Sequence, residues 1–230
     1  TAVTAQNAAG VSGYVRAAAG LVTADAWVNV IPAALDHIDM SPSSLTATAG
    51  KQYAFTATGR DIYNNAIPGL SFNWTTTAGS VTSAGLFTAQ TSTGSGNVKA
   101  TIGAVVGTAS VTVIPDGLAM ISVTPSPVSV TAGTTQSFSA SGYDQYNNQI
   151  PGLSFNWSTN VGAVSSAGLL TAQTAAGVTG YVRATIGVVY KDSAVTMIPA
   201  ALDHIDMSPA SLAATAGKQY TITATGRDVY

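Results

Sequence analysis

Gly69-Leu70-Ser71-Phe72-Asn73-Trp74 decides the fold, because the same six residues return at Gly152–Trp157. Within it Leu70, Phe72 and Trp74 alternate with Ser71, Asn73 and Thr75, an apolar/polar period of two. That period is the mark of a β-strand with one buried and one wet face. Two more stretches read the same way. Tyr53, Phe55 and Ala57 alternate with Gln52, Ala54, Thr56 and Thr58, and Val98, Ala100 and Ile102 alternate with Asn97, Lys99 and Thr101. Turn chemistry separates the strands at Thr48-Ala49-Gly50, Tyr63-Asn64-Asn65 and Ser83-Ala84-Gly85. No stretch shows helical periodicity with caps.

Outward from that hexapeptide, one unit tiles the chain. Ile-Pro recurs at Ile31, Ile114 and Ile198, 83 and 84 residues apart. Thr-Ala-Gln starts at Thr4, Thr88 and Thr171, and Asp-x-Tyr starts at Asp61, Asp144 and Asp228. The units alternate. Ile198–Tyr230 matches Ile31–Tyr63 at 28 of 33 positions, whereas Ile114–Tyr146 matches the same stretch at only 14. Gly13–Arg16 repeats at Gly180–Arg183, so the order is B-A-B-A. Expected segments are 1–32 (the closing strands of a B unit), 33–116 (a complete A domain), 117–199 (a complete B domain) and 200–230 (the opening strands of an A unit). Several short strands in about 83 residues argue a two-sheet sandwich. The expected class is all-β, with immunoglobulin-like β-sandwich domains in tandem, head to tail through stiff Ile-Pro linkers. With Thr1 in place of an initiator methionine, the chain reads as an ordered excerpt of a longer one. Self-completion between chains is the weaker reading, because joining 1–32 to 200–230 still omits the Phe-Asn-Trp strand.

The unit opens with Leu-x-x-Ile-x-x-x-Pro and Thr-Ala-Gly, then Phe-Thr-Ala-Thr-Gly-x-Asp-x-Tyr-Asn-Asn. Phe-Asn-Trp, Gly-Leu-Phe-Thr-Ala and a closing Gly-Thr-Ala-Ser-Val-Thr-Val follow. It resembles the bacterial immunoglobulin-like (Big) domains of invasin- and intimin-type adhesins and other prokaryotic surface proteins. The resemblance covers the whole chain. It implies a sandwich fold and an extracellular, cell-surface setting. It does not select among stalk, adhesin, fibre subunit and enzyme appendage.

Composition narrows the function classes. Charged residues make up 8% of the 230 positions, and the formal net charge is -2. A typical soluble protein has about 25% charged residues. Polarity here comes from Thr, Ser, Asn, Gln and Gly, which leaves little repulsion between neighbouring molecules. No basic cluster exists to attract nucleic acid. No apolar run of about 18 residues spans a membrane. Cysteine is absent, which removes disulfides and thiolate sites.

Candidate sites follow from the repeat. Trp74 and Trp157 read as core anchors rather than ligand platforms, and Trp27, without an aromatic counterpart, points to a local contact. Asp61 and Asn64, with Asp144 and Asn147, are weak calcium candidates beside Asn65 and Asn148. One carboxylate per loop favours an Asx turn. Asp36, His37 and Asp39, repeated as Asp203, His204 and Asp206, belong to A units only, since B carries Ala119, Met120 and Ser122. Strict alternation puts His37 and Asp39 on one face and Asp36 on the other. An inter-domain or inter-chain contact is expected there rather than a metal or pH-sensing site. Asn73-Trp74-Thr75 and Asn156-Trp157-Ser158 fit the N-glycosylation pattern, with both Asn side chains outward. Lys51, Lys99 and Lys218 are weak isopeptide candidates. Two histidines at one repeated position and no unique polar constellation argue against an enzyme, so no catalytic residue and no cofactor are expected. The reading is an extracellular fibre, stalk or surface-layer component whose partners are neighbouring repeats, copies of itself and glycans. Alternatives are the spacer of an adhesin with its binding tip elsewhere, and an accessory module of a secreted polysaccharide-degrading enzyme.

Overall fold

A computed structural model describes residues 2–230, so Thr1 of the expected 1–32 segment lies outside the described residues. The chain is all-β, with immunoglobulin-like sandwiches in tandem, and the described residues contain strands and no helix. It divides into two compact units, Thr1–Asp116 and Gly117–Tyr230.

The first unit begins with the hairpin Ser12–Ala19 and Val22–Asn29, closed by Gly20 at φ 59°. The A sandwich follows. One of its sheets has the order Ser44–Thr48, Val105–Ile114, Gly94–Ile102, Asn73–Thr76, with the first two strands parallel. Facing it are Leu35–Ser41 paired with Thr56–Asp61, and Leu86–Ala89 between Gln52–Ala54 and Gly79–Val81. Alternation produces the core directly. Ala109, Val111 and Val113 are buried, while Thr108, Ser110 and Thr112 are exposed. Phe55 and Phe87 meet edge to face at 5.8 Å in the centre, a geometry the ring quadrupole favours. The sheets approach closely at Gly107, where an added Cβ would stand 2.7 Å from Ile38 Cγ2.

The second unit repeats this plan as the B sandwich. Its four-stranded sheet runs Val128–Thr131, Val189–Ile198, Thr179–Ile186, Asn156–Thr159. Phe138, Val161, Leu170, Val182, Val195 and Met197 fill its core. The strands Leu202–Ser208 and Thr223–Asp228 then pair as an opening A-type ribbon.

One expected strand is shorter than its alternation implies. Leu70 and Phe72 precede the strand, which starts at Asn73. Asn73 pairs with Thr101, and the partner strand turns at Gly103, whose φ is 57°, so Leu70 and Ser71 have no strand opposite them. The Leu70 and Phe72 side chains are half-buried: Leu70 lies over Gly59, and Phe72 meets Trp74 edge to face at 6.4 Å. Trp74 and Trp157 are half-buried against their cores. Each indole lies over the glycine of a tight turn, Gly85 or Gly168, where an added Cβ would meet Cζ2 at 3.0 Å.

Candidate functional site: domain joints and outer faces

Asp61 ends the strand Thr56–Asp61 and is fully buried. Its Oδ1 accepts the backbone N–H of Tyr63 at 2.9 Å and of Asn65 at 2.8 Å. Its Oδ2 accepts Ala33 N–H at 2.8 Å and Asn65 Nδ2 at 2.9 Å. Burial pushes this carboxyl upward, but the N–H donors from Asn65, Ala33 and Tyr63 outweigh it and hold the group at about 2. Hydrogen bonds to the charged form act in that direction. The carboxylate therefore faces protons on both oxygens, the pattern of an Asx turn. Asn64, grouped with Asp61 from sequence, instead supplies the left-handed turn at φ 67°, which Asn tolerates better than most residues. Asn65 is the residue that engages the carboxylate. The B loop agrees: Asn147 has φ 67°, while Asn148 N and Nδ2 each donate to buried Asp144 at 2.8 Å.

The Asp61 loop also ties the A domain to what precedes it. Ala33, held by Asp61, directly follows the Ile31-Pro32 linker. Asn65 Nδ2 donates to the carbonyl of Asn7 at 2.7 Å, and Asn65 Oδ1 accepts Ala9 N–H at 3.0 Å. Asn65 thus joins the closing segment of one repeat to the opening of the next. The second unit gives another view of a B-to-A junction. Ala200 N–H donates to Asp228 Oδ2 at 2.9 Å, and Tyr230 N–H to Asp228 Oδ1 at 3.1 Å. The Tyr230 ring lies against Gly133, whose φ is 70°, and a Cβ there would come within 2.7 Å of Cε2. The sequence places Asn65 in this loop but does not reveal its bonds to Asn7 and Ala9, nor the Tyr230–Gly133 contact. The available signal was that Asp-x-Tyr and Thr-Ala-Gly recur together in every unit that contains them.

The outer faces distinguish the two domain types. In A, a β-bulge between Leu35 and His37 breaks the alternation expected for this strand. Asp36 is the extra residue, so it joins His37 and Asp39 instead of taking the opposite face. His37 Nδ1 lies 2.9 Å from Asp36 Oδ2, His37 Nε2 lies 3.9 Å from Asp39 Oδ1, and Arg60 Nε pairs with Asp39. The copy at Asp203, His204, Asp206 and Arg227 has the same bulge and contacts. These bonds lie within a single two-stranded sheet.

In B, the outer face of the hairpin Thr179–Ile186 and Val189–Ile198 carries a fork. Arg183 Nε and Nη2 donate to the two oxygens of Asp192 at 2.6 and 2.8 Å. That pairing pushes the guanidinium further up and Asp192 below its usual range. Arg183 also lies over Tyr181 and Tyr190, at 5.0 and 4.0 Å from the ring centres. The first hairpin repeats the fork as Arg16 and Asp25, at 2.7 and 2.8 Å. There Arg16 lies over Tyr14 at 4.8 Å, and Tyr14 meets Trp27 edge to face at 5.9 Å. This is the local contact of Trp27.

Asn73 and Asn156 are exposed at the start of the strands that edge the four-stranded sheets. Lys51 pairs with Asp116 at 3.3 Å, Lys99 is half-buried across from Thr75, and Lys218 is exposed. Among the described residues no three His, Cys, Asp or Glu side chains are grouped to hold a metal ion. No helix there is long and apolar enough to cross a membrane.

No protein-family profile matches the chain, and no curated protein matches its sequence. Solved structures resemble it in fold. The Escherichia coli adhesin FdeC is 20% identical, with a TM-score of 0.48 over 75% of this chain and 68% of that one. Yersinia pseudotuberculosis InvD is 21% identical, with a TM-score of 0.46 over 84% and 70%. Domains 1–6 of the surface-layer protein SbsC are 20% identical, with a TM-score of 0.34 over 90% of this chain. The chain spans only 33% of that SbsC structure.

Proposed function

We propose that the chain is a structural segment of an extracellular, cell-surface array, a fibre, stalk or surface layer, whose successive sandwiches are clasped rather than loosely linked. The Asp61–Asn65 clasp carries this reading. A flexible tether leaves its flanking backbone groups to water. Here Asn7, Ala9 and Ala33 are all hydrogen-bonded through one loop of the following domain. The low charge and Thr-rich faces support lateral association with copies of itself or neighbouring repeats. The same joints would serve the spacer of an adhesin or an accessory region of a secreted enzyme.

Electron microscopy of the full-length source protein separates these readings. Regular filaments or a lattice exclude the spacer and accessory roles. A catalytic or lectin domain elsewhere in the same product excludes the filament. Replacing Asn65 and its repeats with alanine is expected to shorten the persistence length of single molecules in such images. An unchanged persistence length would remove the clasp as the source of stiffness. Intact mass of the native protein tests glycosylation at Asn73 and Asn156, and an unmodified mass excludes it.

A further inference from the structure

The fork on B units is accompanied by something its fold does not require. Both B copies place two aromatic rings around one Arg–Asp pair, but by different routes. The later copy uses Tyr181 and Tyr190, the earlier one Tyr14 and Trp27. Thr23 stands where Tyr190 would be, and Ala194 where Trp27 would be. One aromatic has changed sides of the fork and the two-ring platform persists. A units lack it, with Asn97, Lys99, Val106 and Thr108 at the matching positions.

These rings are not unfinished core. Tyr14 and Trp27 are directly opposite on the hairpin and share the parity of Arg16 and Asp25, the face that is outward in the complete B domain. The apolar inner parity belongs to Val15, Ala17 and Val28. Tyr190, in the complete B domain, is 56% exposed, which leaves part of its ring open to solvent.

The chemistry selects a ligand. Asp192 occupies the Arg183 fork and cancels its charge, so the guanidinium is not free for an anion, and Lys191 stands on the opposite parity, paired with Ala184. The guanidinium fixes the ring it stacks on, which reduces the ordering cost of binding. An open aromatic face attracts C–H groups that carry partial positive charge. Register places Thr185 beside Tyr190, and Asn156 beside Thr185, so hydroxyl and amide groups border the rings. Because these polar groups interrupt it, the patch is not a continuous apolar contact for another protein. An apolar C–H face rimmed by hydroxyls describes a pyranose ring. We propose that the outer face of each B unit is a stacking site for neutral polysaccharide. This stands apart from the clasped-joint proposal and survives its failure.

The test is affinity electrophoresis of the 230-residue chain, made in a host without N-glycosylation so that no glycan on Asn156 competes. Gels contain soluble β-glucan, mannan or galactan, with polygalacturonate as the anionic control. Retardation is expected in at least one neutral gel and not in polygalacturonate. The double variant Trp27→Ala, Tyr190→Ala is expected to bind at least 10-fold more weakly with its thermal midpoints unchanged. On binding, Trp27 emission in the parent chain shifts to shorter wavelength. Migration unaffected by every neutral polymer overturns the proposal, as does equal retardation of parent and variant, or retardation by polygalacturonate alone.

Discussion

The A and B sandwiches share a backbone plan and differ on both sides of it, in different ways. Inside, changes compensate. Phe87 of A becomes Leu170 in B and loses ring volume, while Ala78 becomes Val161, Ala47 becomes Val130 and Val113 becomes Met197. The ring lost in one place is replaced by methyl groups around it, which keeps the interior near its required density. Ala109 becomes Ser193, a buried hydroxyl that donates to the Pro125 carbonyl at 2.6 Å and so is not stranded. Outside, nothing compensates. A carries the Asp-His-Asp-Arg cluster on its smaller sheet, and B carries the Tyr-Arg-Asp platform on its larger one. The two types hold the sandwich plan and its core volume in common and part on their outer faces.

The strongest way to break this comparison is to open one core and leave the other. Phe87→Ala is expected to destabilise the A domain by about 3–5 kcal/mol. Denaturant unfolding followed by NMR should show A resonances melting early with those of B unmoved. Joint loss of both would mean that the two sandwiches unfold as one. A smaller effect is expected from Gly133→Ala in B. The left-handed φ alone costs about 1–2 kcal/mol in a residue with a Cβ, and the added methyl displaces Tyr230. Loss of shielding at Gly133 by the Tyr230 ring, seen in its proton shift, would confirm the displacement.

Acid sharpens the comparison further. The Asp61 pKa is depressed to about 2 from an ordinary 3.8. Its contribution to A-domain stability is therefore complete above about pH 4 and is lost as pH falls through about 2. Asp61→Asn should lower the A-domain midpoint at pH 7 and flatten its dependence between pH 4 and 2. A parallel acid profile in the parent and variant would show that other groups set it. The smallest effect belongs to the B surface. Tyr190→Ala should change B-domain stability by no more than about 0.5 kcal/mol, read as an unaltered melting transition.

The strands were legible because burial imposes a period of two, and Val98, Ala100, Ala109 and Val111 obey it without exception. The inward Trp74 and outward Asn73 follow from the same rule. Local rules failed where the backbone left the ladder. The bulge at Asp36 adds one residue to a strand whose composition gives no sign of it. The Gly103 turn ends the partner strand opposite a stretch whose alternation has already begun. Asn65 was placed in the right loop, but its partners Asn7 and Ala9 lie in the preceding repeat, beyond the reach of any window centred on Asp61. The Arg183–Asp192 fork needs the hairpin register before nine residues of separation become a direct contact.

The parallel pairing of Ser44–Thr48 with Val105–Ile114 has a mechanical consequence. It sets the first and last strands of that sheet side by side, with Ser44 opposite Ser110 and Thr48 opposite Ile114. Tension applied through the neighbouring repeats pulls the start of one strand and the end of the other toward opposite poles. The bonds between them are then loaded together in shear, rather than opened one after another as in a peeled hairpin. Val128–Thr131 with Val195–Ile198 has the same arrangement in B, one residue pair shorter. Under load, B should therefore yield at a lower force than A.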